Sequence, residues 1–178
     1  MGKNYNKKNN NKESDKLLVL TKSHEIRHEF SELFYRNFGY KKRQVYKTYK
    51  DGSLKPEEVY LQECEEADRE YRFICWELGK AANFMDDTLR ELTKNIVSAD
   101  AIYATNLAEC DDRRLLQDHA IGCCFNIIQE LQYILESKLF DIDKYTRYAK
   151  MLGEEINLLK SWRKSDNKLR NIIKAKNT

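Results

Sequence analysis

Apolar residues recur along most of the chain at intervals of three and four positions, the spacing of one face of an α-helix. The longest run of this pattern lies in the middle of the sequence and comprises Tyr71, Cys75, Leu78, Ala82, Met85, Leu89, Leu92, Ile96, Ala99 and Tyr103. Steps of four and three in strict alternation form a heptad seam, which is typical of a long helix packed against near-parallel neighbours. The pattern therefore predicts a long second helix over residues 56–105.

Three other segments carry the same periodicity and predict three further helices. The first, over 16–38, is followed by Gly39, which suits a left-handed C-cap. The third, over 110–138, has two adjacent apolar stripes, enough to contact more than one helix. The fourth, over 141–173, begins at Asp141, a favourable N-cap residue. These elements predict an all-α, up-and-down four-helix bundle whose short connections make helices 2, 3 and 4 antiparallel neighbours.

The remaining segments predict one domain with a tail and an inserted loop. Residues 1–15 are rich in Asn and Lys and have almost nothing to bury, so we predict a disordered tail before a bundle domain over 16–176. Residues 40–55 form a basic, aromatic loop between the first two helices, and its Asp-Gly-Ser sequence at 51–53 predicts a turn. A short hairpin over 44–49 is an open alternative within this loop.

The composition agrees with this prediction and excludes several classes of protein. The chain has 178 residues, of which 34% are charged, with one Pro and six Gly, so a turn-rich β-sandwich is excluded. No segment approaches the roughly 18 apolar residues of a membrane span, and the N-terminus lacks the apolar core of a signal peptide. We therefore expect a cytoplasmic protein without a membrane partner. The five cysteines include no CxxC pair, and we interpret them as small apolar packing residues in a reducing compartment.

The charge is distributed unevenly, although the net charge is only +3. Residues 41–55 carry a net charge of +5, residues 57–77 carry −6, and residues 160–176 carry +6. Basic clusters of this kind suit a polyanion. The acidic stretch suits either the neighbouring basic loop or a basic surface of a partner protein.

The basic C-terminal run combines cations with an indole ring. Cations neutralise phosphates, and Trp or Arg planes stack on unpaired bases, so this run is a candidate site for nucleic acid. The competing interpretation is a solvated helix end whose cations complement the helix dipole. The candidate RNA- or partner-binding residues are Lys160, Trp162, Arg163, Lys164, Lys168 and Arg170, together with Lys41, Lys42, Arg43 and Lys47 of the tyrosine-containing loop.

A second motif, HExxH, lies in the first predicted helix at His24–His28. In zinc peptidases the two imidazoles hold the metal and the Glu activates water. At 100° per residue, however, His24 and His28 both lie opposite the apolar stripe that contains Ile26 and Phe30. The sequence also predicts no sheet-lined cleft, so we interpret the motif as a chance match and expect no metal, no cofactor, no small-molecule substrate and no enzymatic activity.

Helices 2 to 4 carry a resemblance to a known family. The segments concerned are LRELTKNIVSADAIYATN (89–106), RRLLQDHAIGCCFNIIQELQYI (113–134) and YTRYAKMLGEEINLLKSWRKSDNK (145–168). They resemble the Avd family, the four-helix-bundle accessory proteins of diversity-generating retroelements, whose fold is shared with the ribosomal-RNA intervening-sequence proteins. The tail and residues 41–77 depart from that family's pattern.

The resemblance implies a non-enzymatic helper that assembles as a homo-oligomeric ring, often a pentamer. Such a protein binds a reverse transcriptase and its template RNA and supports error-prone cDNA synthesis. By the same resemblance, Lys160, Arg163, Lys164 and Lys168 contact RNA or the polymerase. Two alternatives stay open: a helical bundle that serves protein assembly without RNA binding, and a zinc metallopeptidase acting through His24–His28.

Overall fold

The computed structural model describes the backbone of residues 6–176 and the side chains of residues 18–176. The chain forms four helices in this part, namely α1 (Asn6–Tyr35), α2 (Glu57–Ala101), α3 (Leu107–Glu136) and α4 (Ile142–Lys176). α2 packs on α1 and α3, and α4 packs on α3 and α1, which closes a four-helix bundle. The predicted all-α bundle is therefore confirmed. Over the described residues, none of the helices has the length and apolarity needed to cross a membrane.

The ends of the helices differ from the predicted bounds. α1 begins ten residues before the predicted start at position 16, and α2 ends at Ala101 instead of 105. α1 extends beyond its apolar stripe because backbone hydrogen bonds continue where nothing is packed, whereas Tyr103 continues the apolar spacing after α2 has ended. Of the predicted disordered tail, residues 1–5 lie outside the described residues, and only the backbone of residues 6–15 is described.

The predicted seam of α2 is buried along most of its length. The residues that confirm it are Leu78, Met85, Leu89, Leu92, Ile96 and Ala99. Nearer the start of α2, Ala67, Ile74 and Ala81 are also buried. The heptad pattern instead predicts Cys75 and Ala82, each one position later than a buried residue. The two sets differ because a straight helix drifts about 20° per heptad from a strict seven-residue repeat. Tyr103 is exposed because it lies beyond the end of α2.

The connection after α1 is a short 3-10 turn at Asn37–Gly39 with three consecutive positive φ angles. They are 46° at Asn37, 56° at Phe38 and 78° at Gly39. The left-handed conformation predicted at Gly39 is confirmed, but its predicted place as the cap directly after the first helix is wrong, because α1 ends at Tyr35. Phe38 accepts an unfavourable conformation because its ring is buried and packs edge-on against Phe140, with centroids 5.8 Å apart. Lys144 Nζ of α4 also donates a hydrogen bond to the Phe38 carbonyl oxygen at 3.2 Å.

Side chains cap the two helices that follow. Asn106 Oδ1 accepts a hydrogen bond from the Glu109 backbone N–H at 3.0 Å, and Glu109 reaches back to the Asn106 N–H, which makes a capping box for α3. Asp141 Oδ1 accepts from the Asp143 N–H at 2.8 Å, so the predicted N-cap of α4 is confirmed. These caps fix the two turns that reverse the chain between α2, α3 and α4.

Candidate nucleic-acid interface

Three lysines form a ridge on the solvent face of α4. Lys160, Lys164 and Lys168 are all exposed, and none has an ion-pair partner among the described residues. Their spacing of four residues places them within about 80° of the helix surface and spreads their ammonium groups over about 12 Å of its length. We call these three residues the lysine ridge. Each ammonium is a point charge on a flexible stem, which suits phosphate contact more than base readout.

The arginines predicted for the same site have a different role. Arg163 pairs with Asp118 of α3, and Arg170 Nε lies 2.8 Å from Asp111 Oδ1 of the same helix. The hydrogen bond between Arg170 and Asp111 lowers the pKa of that carboxyl. These two arginines therefore hold α4 against α3, and their charge is already compensated.

Trp162 is a core residue. Its side chain is only 3% exposed, and the Arg113 guanidinium carbon lies 5.5 Å from the centroid of the indole ring. An indole in this position has no face available to an unpaired base. The structure thus removes Trp162 from the candidate RNA-contacting residues, because the basic run is amphipathic and this residue continues the buried stripe of α4.

A buried polar network beside Trp162 is not among the sequence-predicted features. Arg113 Nε lies 3.2 Å from Asp166 Oδ2, and Gln117 Nε2 donates to the same oxygen at 2.7 Å. Two signals in the sequence point to it. Arg113 and Gln117 stand in register with Ala120 of the apolar stripe of α3, and Asp166 is the single acid in the basic run 160–176. The adjoining cavity has a volume of about 10 Å³, the size of one water and too small for a phosphate.

The acidic start of α2 neutralises part of the basic loop. Lys42 Nζ lies 2.5 Å from Asp68 Oδ1, and Arg43 Nε lies 3.8 Å from Glu70 Oε2. This pairing is one of the two alternatives that the charge pattern leaves open for the acidic stretch. Lys41 is exposed and has no ion-pair partner among the residues that the structure describes.

Within the loop itself, Lys47 has its Nζ 5.5 Å from the centroid of the Tyr60 ring. The predicted turn at 51–53 is confirmed by a hydrogen bond from the Tyr49 N–H to the Ser53 carbonyl oxygen at 2.8 Å. An isolated antiparallel bridge joins Thr48 to Leu54. The hairpin that the sequence leaves open as an alternative in this loop is therefore reduced to one bridge.

The two basic clusters do not form one surface. The loop lies against residues 60–71, near the start of α2. Arg170 of the basic run contacts Asp111 near the start of α3, which follows the C-terminal end of α2 in the chain. Residues 71–101 of α2 span about 45 Å at 1.5 Å per residue. Lys41, Lys47 and Lys50 of the loop are exposed without an ion-pair partner among the described residues, so the loop and the lysine ridge are two separate basic surfaces.

The HExxH motif lies on an exposed helix face. His24 and His28 are both exposed, and Glu25 Oε2 lies 3.1 Å from Lys22 Nζ. In the described part of the chain no three His, Cys, Asp or Glu side chains are grouped so that they could hold a metal ion. The geometry therefore gives no support to a peptidase centre at this motif.

A carboxyl group is buried inside the bundle. Glu155 of α4 is 0% exposed, and neither carboxyl oxygen has a hydrogen-bond partner among the described residues. Burial raises its pKa to about 8, and the charge of Lys22 opposes this increase.

Burial also raises the pKa of the Cys124 thiol. The interpretation of the cysteines as packing residues fits Cys110, Cys123 and Cys124, which are buried, whereas Cys64 and Cys75 are only half-buried.

Comparison of the chain with known protein families, curated proteins and solved structures finds no match. The resemblance to Avd-type proteins thus stays a prediction that rests on the three quoted segments. Chemically, the arrangement offers phosphate binding by the lysine ridge on a rigid helix.

Proposed function

We propose that this protein is a non-enzymatic, RNA-binding four-helix bundle that uses the lysine ridge to hold the phosphate backbone of a structured RNA. The observation that carries the proposal is the ridge itself, with Lys160, Lys164 and Lys168 exposed and lacking ion-pair partners among the described residues. The other candidate cations on α4, Arg163 and Arg170, are occupied by aspartates of α3.

The type of RNA follows from the side chains available. Lysines neutralise phosphates and release counterions, which gives affinity that falls steeply with salt and carries little sequence information. With Trp162 buried, its indole does not supply a stacking platform for unpaired bases. The ridge therefore favours the regular backbone of a folded, largely double-stranded RNA.

The biological setting in this proposal comes from the resemblance. The protein serves a reverse transcriptase in the cytoplasm, binds the template RNA, assembles as a homo-oligomer and supports cDNA synthesis that generates diversity. The alternative function is protein assembly without RNA binding. The ion pairs at Arg163 and Arg170 favour that alternative, because they reduce the charge that the α4 end offers to RNA.

A triple variant tests the proposal: Lys160→Gln, Lys164→Gln and Lys168→Gln. Its affinity for an RNA hairpin is measured by fluorescence anisotropy over a series of KCl concentrations. We expect weaker binding and a slope of log Kobs against log salt that is smaller in magnitude by about 2 to 3, since about one counterion is released for each phosphate contact.

The matched control neutralises three exposed lysines outside α4, by Lys80→Gln and Lys94→Gln on α2 and Lys138→Gln in the turn after α3. Both variants change the net charge equally, so a long-range effect of charge is the same in each. RNA affinity that is unchanged in the ridge variant, or that falls equally in the control, contradicts the proposed site.

A further inference from the structure

A groove with exposed aromatic walls runs between α2 and α3. Its volume is about 630 Å³. Phe73 and Phe84 rise from α2 and Tyr133 from α3, and their side chains are 61%, 46% and 59% exposed. Monomeric proteins rarely leave several large aromatic side chains together in water, so a patch of this kind marks an interaction surface.

The groove follows from the spacing of residues on two antiparallel helices. On α2, Phe73, Glu77 and Phe84 share one stripe, because they are separated by four and seven residues. On α3, Glu130 and Tyr133 occupy the facing stripe. Buried side chains close the floor, namely Ile74, Leu78, Ala81 and Ile134. α1 and α4 pack elsewhere on the bundle and leave the groove open.

The dimensions suit a helix. From Phe73 to Phe84 the α2 wall extends about 16 Å, which corresponds to three helical turns. An amphipathic helix in such a groove inserts apolar side chains spaced three, four and seven residues apart. Exposed aromatic rings are the side chains that most often provide the binding energy of protein interfaces.

The charge of the groove distinguishes the class of partner. Glu130 lies on the wall without an ion-pair partner among the described residues, and Glu77 Oε1 lies 3.2 Å from Lys80 Nζ. Lys80 in turn stands over the Trp76 ring, with Nζ 4.0 Å from the centroid. A carboxylate beside an apolar floor repels RNA phosphates and attracts a cationic side chain.

We infer that this groove binds a basic amphipathic helix of a partner protein. Two apolar side chains of that helix lie against Phe73, Phe84 and Tyr133, and a Lys or Arg from the next turn reaches Glu130. The site lies on other helix faces than the lysine ridge, so the chain presents one surface to RNA and another to protein. The inference does not depend on the RNA proposal.

The test uses a labelled synthetic helix of roughly 15 residues, long enough for four turns, with leucines at one face and lysines elsewhere. Two further peptides serve as probes: one with the leucines scrambled around the helix, and one with glutamate in place of lysine. We expect saturable binding of the amphipathic basic peptide, seen by fluorescence anisotropy, and binding at least about tenfold weaker for each of the other two.

Protein variants locate the site. Phe84→Ala and Tyr133→Ala should each weaken the peptide about tenfold or more, as expected for aromatic anchors, and Glu130→Gln should weaken it less and reduce its salt dependence. Val97→Ala, at a half-exposed apolar residue of α2 outside the groove, is the matched control.

Three results overturn the inference: equal binding of the basic and acidic peptides, equal loss in the Val97→Ala control, or dissociation of a self-associated protein by the peptide. The last result, measured by sedimentation velocity, assigns the groove to a second copy of the chain. RNA binding is measured on the same variants, and it stays at the wild-type level if the two sites are separate.

Discussion

Arg113 and Asp166 form an ion pair in the interior of the bundle, with Arg113 Nε 3.2 Å from Asp166 Oδ2. The arginine is on α3 and the aspartate on α4, so the pair joins two helices where both side chains are largely shielded from water. Gln117 binds the same carboxylate oxygen. A charge in such a place costs free energy unless its partner is present.

Replacing Asp166 by Asn should therefore destabilise the fold by about 3 kcal/mol, because it leaves the Arg113 guanidinium buried without a counter-charge. Urea unfolding at constant pH measures the change in free energy. The control is Asp86→Asn, which breaks the exposed pair between Asp86 and Arg90 on α2 and should cost less than about 0.5 kcal/mol. Equal losses in the two variants would show that the interior pair has no special importance.

The buried carboxyl of Glu155 should make stability depend on pH. Its pKa is raised from 4.5 to about 8 in the folded protein, so the group contributes its full stability below pH 4.5 and loses it as the pH rises toward 8. Over that window the free energy of unfolding should fall by on the order of 1.4 kcal/mol per pH unit from this group. Glu155→Gln should flatten the profile, and Glu154→Gln, at its exposed neighbour, should not.

Gly39→Ala should destabilise the turn after α1 by about 1–2 kcal/mol, because an L-residue resists the left-handed conformation. Here the φ angle is 78°, and the added Cβ displaces the flexible Lys144 ammonium, which costs its hydrogen bond to the Phe38 carbonyl oxygen. Gly52→Ala has a similar φ of 86° and nothing within 4 Å, so it carries the backbone strain alone. Thermal unfolding of both variants should show the larger loss at Gly39.

Trp162→Phe distinguishes a core role from an RNA-stacking role. We expect a loss of about 1–3 kcal/mol in the free energy of unfolding, since a smaller ring leaves a gap beside Arg113. RNA affinity of the folded variant should stay at the wild-type level. Lys164→Gln should show the reverse behaviour, with normal stability and weaker RNA binding. A Trp162→Phe variant that folds normally and loses RNA would restore the indole to the interface.

Much of the fold can be predicted from the sequence because helix packing leaves a periodic record. The stripe from Leu78 to Ala99, the cap at Asp141 and the left-handed Gly39 all follow from local rules, and the structure confirms each of them. The exact helix ends are not recorded in this way, since apolar spacing marks where side chains pack and not where the backbone hydrogen bonds of a helix begin or stop.

The candidate site is less predictable, because the sequence does not show whether a basic side chain is exposed to solvent or paired with an aspartate on another helix. Arg163 and Arg170 belong to the same basic segment as the lysine ridge, but carboxylates on α3 compensate their charge. Those carboxylates lie more than forty positions away in the sequence. Glu155 shows the same limitation, since its burial depends on three helices meeting around it. Pairing across helices is a tertiary property that one-dimensional periodicity does not record.

The contact of α1 with α4 has a consequence for how the bundle opens locally. Lys22 Nζ of α1 lies 3.0 Å from Glu154 Oε2, next to the buried carboxyl of Glu155. If α1 detaches, water reaches Glu155 and its pKa returns toward the ordinary value, so opening releases a proton at neutral pH. Alkaline conditions then favour the open state, and amide hydrogens of α1 exchange faster as the pH rises than base catalysis alone would produce. A single carboxyl group thereby makes the local opening of the first helix dependent on pH.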